Sequence, residues 1–284
     1  MFKNTNQKSS MECEIFEQPE ILSNILNTYV DGEVIKITLP ENINKVVLVA
    51  SGSSYNCARF AADLFGNVAQ IEARAIYSSE FLLKSAVPHA EDILYVFITQ
   101  SGETSDTNKA LNKAKQFGVQ TLCVTNKKDS TIWQASDFKI DCMAGEEKSI
   151  AATKSLSAQM LCLSLIILKY AQFKGIDITN HLANLSSLPE VLTDTLEHKD
   201  CLADMAGFLS KFQNIIVAAD GISYAIAREA CLKIKETSYI NISSSILGEF
   251  MHGHVAVLNN KAALLYISVD DMSYTAIKNL NKII

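Results

Sequence analysis

Two short stretches carry more hydroxyls than a simple loop needs. Thr99-Gln100-Ser101-Gly102-Glu103-Thr104-Ser105-Asp106-Thr107 follows the apolar run 93–98, and six of its nine residues are Ser, Thr or Asp. Ser51-Gly52-Ser53-Ser54-Tyr55-Asn56 follows the apolar run 45–50 in the same way. Each reads as a strand, a turn rich in hydroxyls, and then a helix start. A helix start presents backbone N–H groups and the positive end of the helix dipole, so it favours an anion. Thr99, Ser101 and Thr104 add short neutral donors, and Gly102 lets backbone approach closely. A phosphate monoester, clamped from two sides, suits this chemistry. The plainer alternative is that these Ser and Thr residues only cap their helices. One stretch alone leaves the two readings level; the pair favours phosphate. Neither stretch ends in Gly-Lys-Ser/Thr, so neither is a nucleotide P-loop, and the first turn lacks the spacing of a dinucleotide fingerprint. With no lysine in either loop, neutral donors must do the binding.

A second group lies in Glu229-Ala230-Cys231-Leu232-Lys233-Ile234-Lys235-Glu236. Glu229, Lys233 and Glu236 fall at i, i+4 and i+7 and share a helix face, which leaves Ile226, Ala230 and Ile234 for the core. Taken alone, Glu229–Lys233 reads as a surface ion pair worth about 0.3–0.5 kcal/mol. Leu247-Gly248-Glu249-Phe250-Met251-His252-Gly253-His254 follows, and its two histidines are too few ligands for a closed metal site.

The elements that must position these residues are legible in the periodicity. Residues 45–50, 93–98 and 120–125 are β-branched or apolar almost throughout, as strands buried on both faces are. Residues 138–141 form a short fourth strand. Helices are expected at about 12–30, 53–65, 105–117 and 151–173. A polar helical stretch at about 174–210 breaks the rhythm. The pattern then restarts with a strand at 214–219, a helix at 222–239 and a strand at 262–267. Strands alternating with helices imply a parallel sheet.

Composition limits the alternatives. The chain has 284 residues, 48% of them hydrophobic and 20% charged, with a net charge of −6. That suits one large or two ordinary globular domains and offers no basic face for nucleic acid. The seven cysteines are dispersed and form no CxxC pair, which reads as reduced core cysteine in a cytoplasmic protein. The N-terminus lacks the apolar stretch of a signal peptide, and the apolar run 163–168 is too short to span a bilayer.

Ser51-Gly52-Ser53-Ser54-Tyr55-Asn56, the 99–107 stretch and Ile150-Ala151-Ala152-Thr153-Lys154 together resemble the sugar isomerase (SIS) domain family. Within it they resemble the isomerase half of the glucosamine-6-phosphate synthases. Met11-Glu12-Cys13-Glu14-Ile15-Phe16-Glu17-Gln18-Pro19 resembles the segment that opens that half, and the likeness covers nearly the whole chain. It implies that Ser54, Thr99, Gln100, Ser101 and Thr104 bind the phosphate of fructose 6-phosphate or glucosamine 6-phosphate. It puts the sugar near Ser53, Ile150 and Ala152; where this chain has Ala152 the family commonly has Ser, so one sugar hydrogen bond is expected to be missing. It implies Glu236 as the base that moves a proton between C1 and C2. His252 would assist ring opening, from its own or a neighbouring subunit, with Lys233 and Glu229 in support. Aldose–ketose isomerisation needs a carboxylate and a group that shuttles hydroxyl protons, and it needs no metal.

The chain also departs from that pattern. Gly253-His254 stands where the family has Gly-Pro, and Ala218-Ala219-Asp220-Gly221 where it has a Gly-Arg-Gly-like turn. No glutaminase domain is expected ahead of the SIS units. The family continues beyond the point matched by Ile284 into a tail whose lysine forms an imine with the sugar. The chain is therefore expected to be either a piece of a longer protein or a degenerate relative.

The expected architecture is α/β: two tandem SIS units, each a parallel sheet flanked by helices in a flavodoxin-like way, the second truncated. The expected divisions are a helical arm at 1–40, a first SIS domain at 41–175, a helical linker at 176–210 and an incomplete second SIS domain at 211–284. The expected function is a phosphosugar isomerase acting on amino-sugar or hexose 6-phosphates. It would be the isomerase part of a synthase-like protein or a stand-alone glucosamine-6-phosphate deaminase. The alternative is a non-catalytic phosphosugar-binding module. No cofactor, metal, nucleic acid or membrane is expected, and a cytoplasmic homodimer is.

Overall fold

A computed structural model of the chain describes residues 9–269, 271 and 274–283. Residues 1–8 of the expected arm, and 270, 272, 273 and 284 of the expected second SIS domain, lie outside it. The chain divides into two compact units, 1–197 and 198–284.

The first unit opens with α1 (Ser10–Tyr29) and a hairpin of β1 (Val30–Asp31) and β2 (Val34–Ile35). Then come β3 (Lys45–Ala50), α2 (Gly52–Ala69), β4 (Glu72–Tyr77), α3 (Ser78–Leu83), β5 (Ile93–Thr99) and α4 (Ser105–Gln116). β6 (Gln120–Thr125), α5 (Thr131–Ala135), β7 (Phe138–Asp141), α6 (Lys154–Phe173) and α7 (Thr179–Glu197) complete it. β3 to β7 form one parallel sheet in the order β4-β3-β5-β6-β7. Alternate strand residues point to opposite faces, and the core divides accordingly. Val46, Leu48, Leu94, Val96 and Leu122 pack on one side with residues of α1, α2, α6 and α7. Val47, Val49, Tyr95, Phe97 and Cys123 pack on the other with Phe81 of α3, Ala110 and Leu111 of α4, and Ile132 of α5. Each of the fully buried large side chains contributes about 1.5–3 kcal/mol of apolar transfer before its entropy is counted. The result is a helix–sheet–helix sandwich, as the strand–helix alternation requires.

Helix α6 starts three residues later than the periodicity suggests, after a loop that carries Ile150 and Ala152. Among the described residues it is one helix long and apolar enough to cross a membrane by length and composition. Its most apolar stretch is 61% buried inside the protein, which is how a core helix is placed. The polar stretch after α6 holds two helices. Leu182, Leu185 and Leu188 of α7 pack into the first unit's core.

The second unit contains α8 (Lys199–Leu209), β8 (Asn214–Ala219), α9 (Ser223–Ser238) and β9 (Ile242–Ile246). Two 3-10 turns follow, Leu247–His252 and His254–Val257, and then β10 (Ala262–Ile267) and α10 (Tyr274–Ile283). Its sheet is parallel in the order β10-β8-β9. The face of α9 that reaches the core is Ala227 and Cys231, with Ile234 packed against them. Ile226 and Ala230, expected on that face, are only half-buried. The small Ala227 and Cys231 pack with Ile215, Val217 and Ala219 of β8.

Candidate functional site

β3 and β5 are neighbours, with Ala50 opposite Ile98, so Ser51 and Thr99 leave the sheet side by side. This is the carboxyl edge of a parallel sheet, where ligands of open α/β folds bind. A pocket of ≈ 240 Å³ opens there. It is lined by Ser53 and Ser54 from α2, by Thr99 at the end of β5, by Gln100, Ser101 and Thr104 from the turn after it, and by Ile150 and Ala152 from the loop before α6. All eight residues expected to bind the sugar phosphate thus meet in one place. Ile150 lines it while standing 94% exposed. Among the described residues no lysine or arginine lines the pocket.

The hydroxyls do not act as caps. Ser51 precedes α2 and Thr104 precedes α4, and neither side chain makes a capping hydrogen bond. Thr104 Oγ1 lies instead 2.9 Å from Thr99 Oγ1, and Ser101 Oγ accepts from the Glu103 N–H at 3.1 Å. The loop keeps its shape through contacts on its far side. Glu103 accepts from the Thr131 N–H at 2.6 Å and from Thr131 Oγ1 at 2.7 Å, anchoring the loop to the start of α5. These bonds, the backbone one foremost, hold the Glu103 carboxyl below its ordinary range. Gly102 has φ +69°, and a Cβ there would lie 2.1 Å from Ser130 Oγ. The closeness that glycine permits is therefore to Ser130, behind the loop.

The third wall holds residues that the sequence did not single out. Glu147 lines the pocket. Its carboxylate accepts from the Thr153 N–H at 2.8 Å, from Thr153 Oγ1 at 3.2 Å and from the Ser155 N–H at 3.3 Å, and also from Ser155 Oγ. The start of α6 is thereby occupied by a carboxylate, and an anion is left the starts of α2 and α4. Ser149 lines the pocket beside Glu147. Asn126 at the end of β6 holds this loop further back, donating to Gly145 O at 2.6 Å and accepting from the Ala144 N–H at 2.7 Å.

In the second unit Glu229, Lys233 and Glu236 share one face of α9. Lys233 Nζ lies 2.7 Å from Glu236 Oε2 and 3.4 Å from Glu229 Oε1. Glu229 is 7% exposed, so this is a sheltered three-charge row and not the surface pair that helical spacing alone suggests. Such a row leaves a carboxylate, Glu236, oriented by an ammonium that is itself held from the other side. His252 stands exposed in the first 3-10 turn. That turn is tied to the end of β8, where Asp220 Oδ1 accepts from the Gly248 N–H at 3.3 Å. Among the described residues no three His, Cys, Asp or Glu side chains group to hold a metal ion.

Comparison with known proteins bears on both units. Isomerizing glutamine–fructose-6-phosphate aminotransferase of Brucella abortus biovar 1 (strain 9-941) is 31% identical over 279 residues, covering 95% of this chain and 46% of the relative. The Campylobacter jejuni protein of the same description is 29% identical over 278 residues, covering 95% and 46%. The chain thus spans about half the length of the curated relatives it matches. The solved C-terminal domain of glucosamine-fructose-6-phosphate aminotransferase from Francisella tularensis superposes with a TM-score of 0.92 at 27% identity, over 100% of this chain and 82% of that one. A glucosamine-6-phosphate deaminase from Thermotoga maritima shares the fold, with a TM-score of 0.77 at 21% identity over 97% and 82%. The SIS domain family matches residues 41–169 and 208–283, one span in each unit, and the chain belongs to that family.

Proposed function

We propose that the protein is a phosphosugar isomerase acting on hexose or amino-sugar 6-phosphates, with fructose 6-phosphate and glucosamine 6-phosphate as the substrates to try first. The observation that carries this reading is the pocket itself. Two hydroxyl-lined helix starts on paired strands converge there, with no basic side chain among the described residues that line it. Neutral donors and two helix dipoles suit a phosphate monoester that must also be released. In this reading Ser54, Thr99, Gln100, Ser101 and Thr104 hold the phosphate, and Ser53, Ile150 and Ala152 face the sugar.

The chemistry is assigned to α9. The Glu236 carboxylate takes the proton from C1 of the ketose, leaving an enediol, and returns it to C2. The hydroxyl proton moves in the same sense, from O1 to O2, and His252 is proposed to carry it and to open the ring. Lys233, 2.7 Å from Glu236, aims the carboxylate, and Glu229 holds Lys233. All seven cysteines are free, which supports a reducing, cytoplasmic setting. The relatives' descriptions support both an isomerase part of a synthase and a deaminase.

The test is proton NMR in D2O with each sugar phosphate in turn. Deuterium entering at C1 or C2 is expected. Binding without deuterium uptake favours the phosphosugar-binding module instead, and the absence of both overturns the pocket assignment.

A further inference from the structure

Helix α1 reaches the pocket wall with three side chains at i, i+3 and i+4. Glu14, only 4% exposed, accepts from the Lys148 N–H at 2.5 Å and from the Ser149 N–H at 3.3 Å. Glu17 meets Lys154 at 2.5 Å, and Lys154 is itself 4% exposed. Gln18 accepts from Ser157 Oγ. The wall from Lys148 to the start of α6 is thus pinned from a helix more than 130 residues away in sequence (134 from Glu14 to Lys148). Buried carboxylates that gather backbone N–H groups fix a loop firmly, because each such charge-assisted bond is stronger than a neutral one.

On the pinned wall Ser149 lines the pocket, and its neighbour Ala152 brings no hydroxyl. The Ser149 hydroxyl helps hold Glu14 ionised, yet it falls outside hydrogen-bond geometry and is shut off from solvent. A buried hydroxyl left without a bond is uncommon and calls for an explanation. To meet a ligand in the pocket this oxygen must turn about its one side-chain torsion, away from Glu14.

We propose that Ser149 reads the sugar end of the bound phosphosugar and that Glu14 of α1 is the positioning residue that holds it there. This rests on the phosphosugar reading of the pocket. Ser149 takes a sugar hydroxyl, while the phosphate stays on the starts of α2 and α4. Glu14 touches no ligand.

The experiment is a calorimetric titration of the full chain with inorganic phosphate, fructose 6-phosphate and glucosamine 6-phosphate. Ser149→Ala is expected to weaken a hexose 6-phosphate about 3–10-fold, the range of one hydrogen bond, and to leave inorganic phosphate unmoved. Ala152→Ser in the S149A background is expected to recover part of the loss, since it returns a hydroxyl to the same wall. Glu14→Gln is expected to reduce the preference for hexose phosphate over phosphate in the same direction. A preference unmoved by S149A overturns the role of Ser149. Loss of phosphate and sugar phosphate in equal measure in E14Q makes Glu14 purely structural, and if E14Q does not fold, S149A still decides the first claim. Wild-type protein that binds none of the three probes overturns the phosphosugar reading and this inference with it.

Discussion

β8, β9 and β10 repeat the arrangement of β3, β4 and β5. In each unit the first strand lies between the other two, and all run parallel. The turn after the central strand keeps its backbone as well, since Gly52 and Gly221 have φ of +58° and +53°. What the turn carries differs. The first unit has Ser51-Gly52-Ser53-Ser54 and a pocket in front of it. The second has Asp220-Gly221-Ile222-Ser223, and both polar side chains are used internally. Asp220 accepts from the Gly248 N–H at 3.3 Å, and Ser223 Oγ accepts from the Val269 N–H at 3.0 Å. One scaffold thus places a strand end and a helix start in two positions. Side-chain charge separates the two turns: the first carries only neutral hydroxyls, the second a carboxylate. The second unit's functional candidates lie further along the same helix, at Glu229, Lys233 and Glu236.

The sharpest way to break that division of labour is Glu236→Gln. It keeps the shape and removes the base. Exchange of the C1 and C2 protons is expected to fall about 10²–10⁴-fold, the range for loss of one general base. Affinity for the sugar phosphate, a property assigned to the first unit, is expected to hold. If E236Q loses binding along with exchange, the two roles are not separable in this way.

The next test makes the first unit resemble the second. Ser51→Asp puts a carboxylate where Asp220 stands in the other turn. A negative charge about 4 Å from a phosphate charge costs about 4 kcal/mol near a protein surface before salt screening. Phosphate affinity is therefore expected to drop about 10²–10³-fold at low salt, with partial recovery at high salt. An affinity that S51D leaves untouched means that the start of α2 does not hold the phosphate.

Glycine offers a third comparison. Gly102→Ala forces a Cβ into Ser130 as well as a strained φ, and is expected to cost about 2–4 kcal/mol. Gly221→Ala carries the strain alone, because nothing lies within 4 Å of the added atom, and is expected to cost about 1 kcal/mol. Thermal melts of the two variants rank them. Equal losses mean that the Ser130 contact yields easily.

How far the sequence foretold these differences depends on range. β3, β5, β6, β8 and β10 are legible because their apolar runs are nearly unbroken. β4 and β9 are not: β4 alternates Glu72 and Arg74 with small residues, and β9 is three serines between two isoleucines. Both lie at sheet edges, where a strand can stay polar. The two hydroxyl loops are legible since each is one continuous stretch. The third wall is not, because Glu14 reads as an ordinary helix acid until its partners, 134 and 135 residues away, are folded against it. Glu147 and Ser149 are equally silent, since a single acid or serine in a loop carries no pattern.

That hidden wall leads to a last effect, which separates the units by pH. Burial pushes the Glu14 carboxyl up, but the Ser149 hydroxyl, the Lys148 and Ser149 N–H groups and the Lys154 ammonium together bring it below its ordinary value of 4.5. A carboxyl lowered by folding stabilises the fold fully above its unfolded value, and that contribution is lost as pH falls through the lower folded value. Glu103, exposed and held by Thr131, works in the same direction under solvent screening. The first unit is therefore expected to weaken as pH drops through and below 4.5. Glu14→Gln is expected to lie about 1–2 kcal/mol below wild type at neutral pH, through lost charge-assisted bonds. The two stability curves then converge in acid, where Glu14 is protonated anyway. Melting temperatures of both proteins from pH 3 to pH 7 measure this, and parallel curves refute the assignment of the acid limb to Glu14.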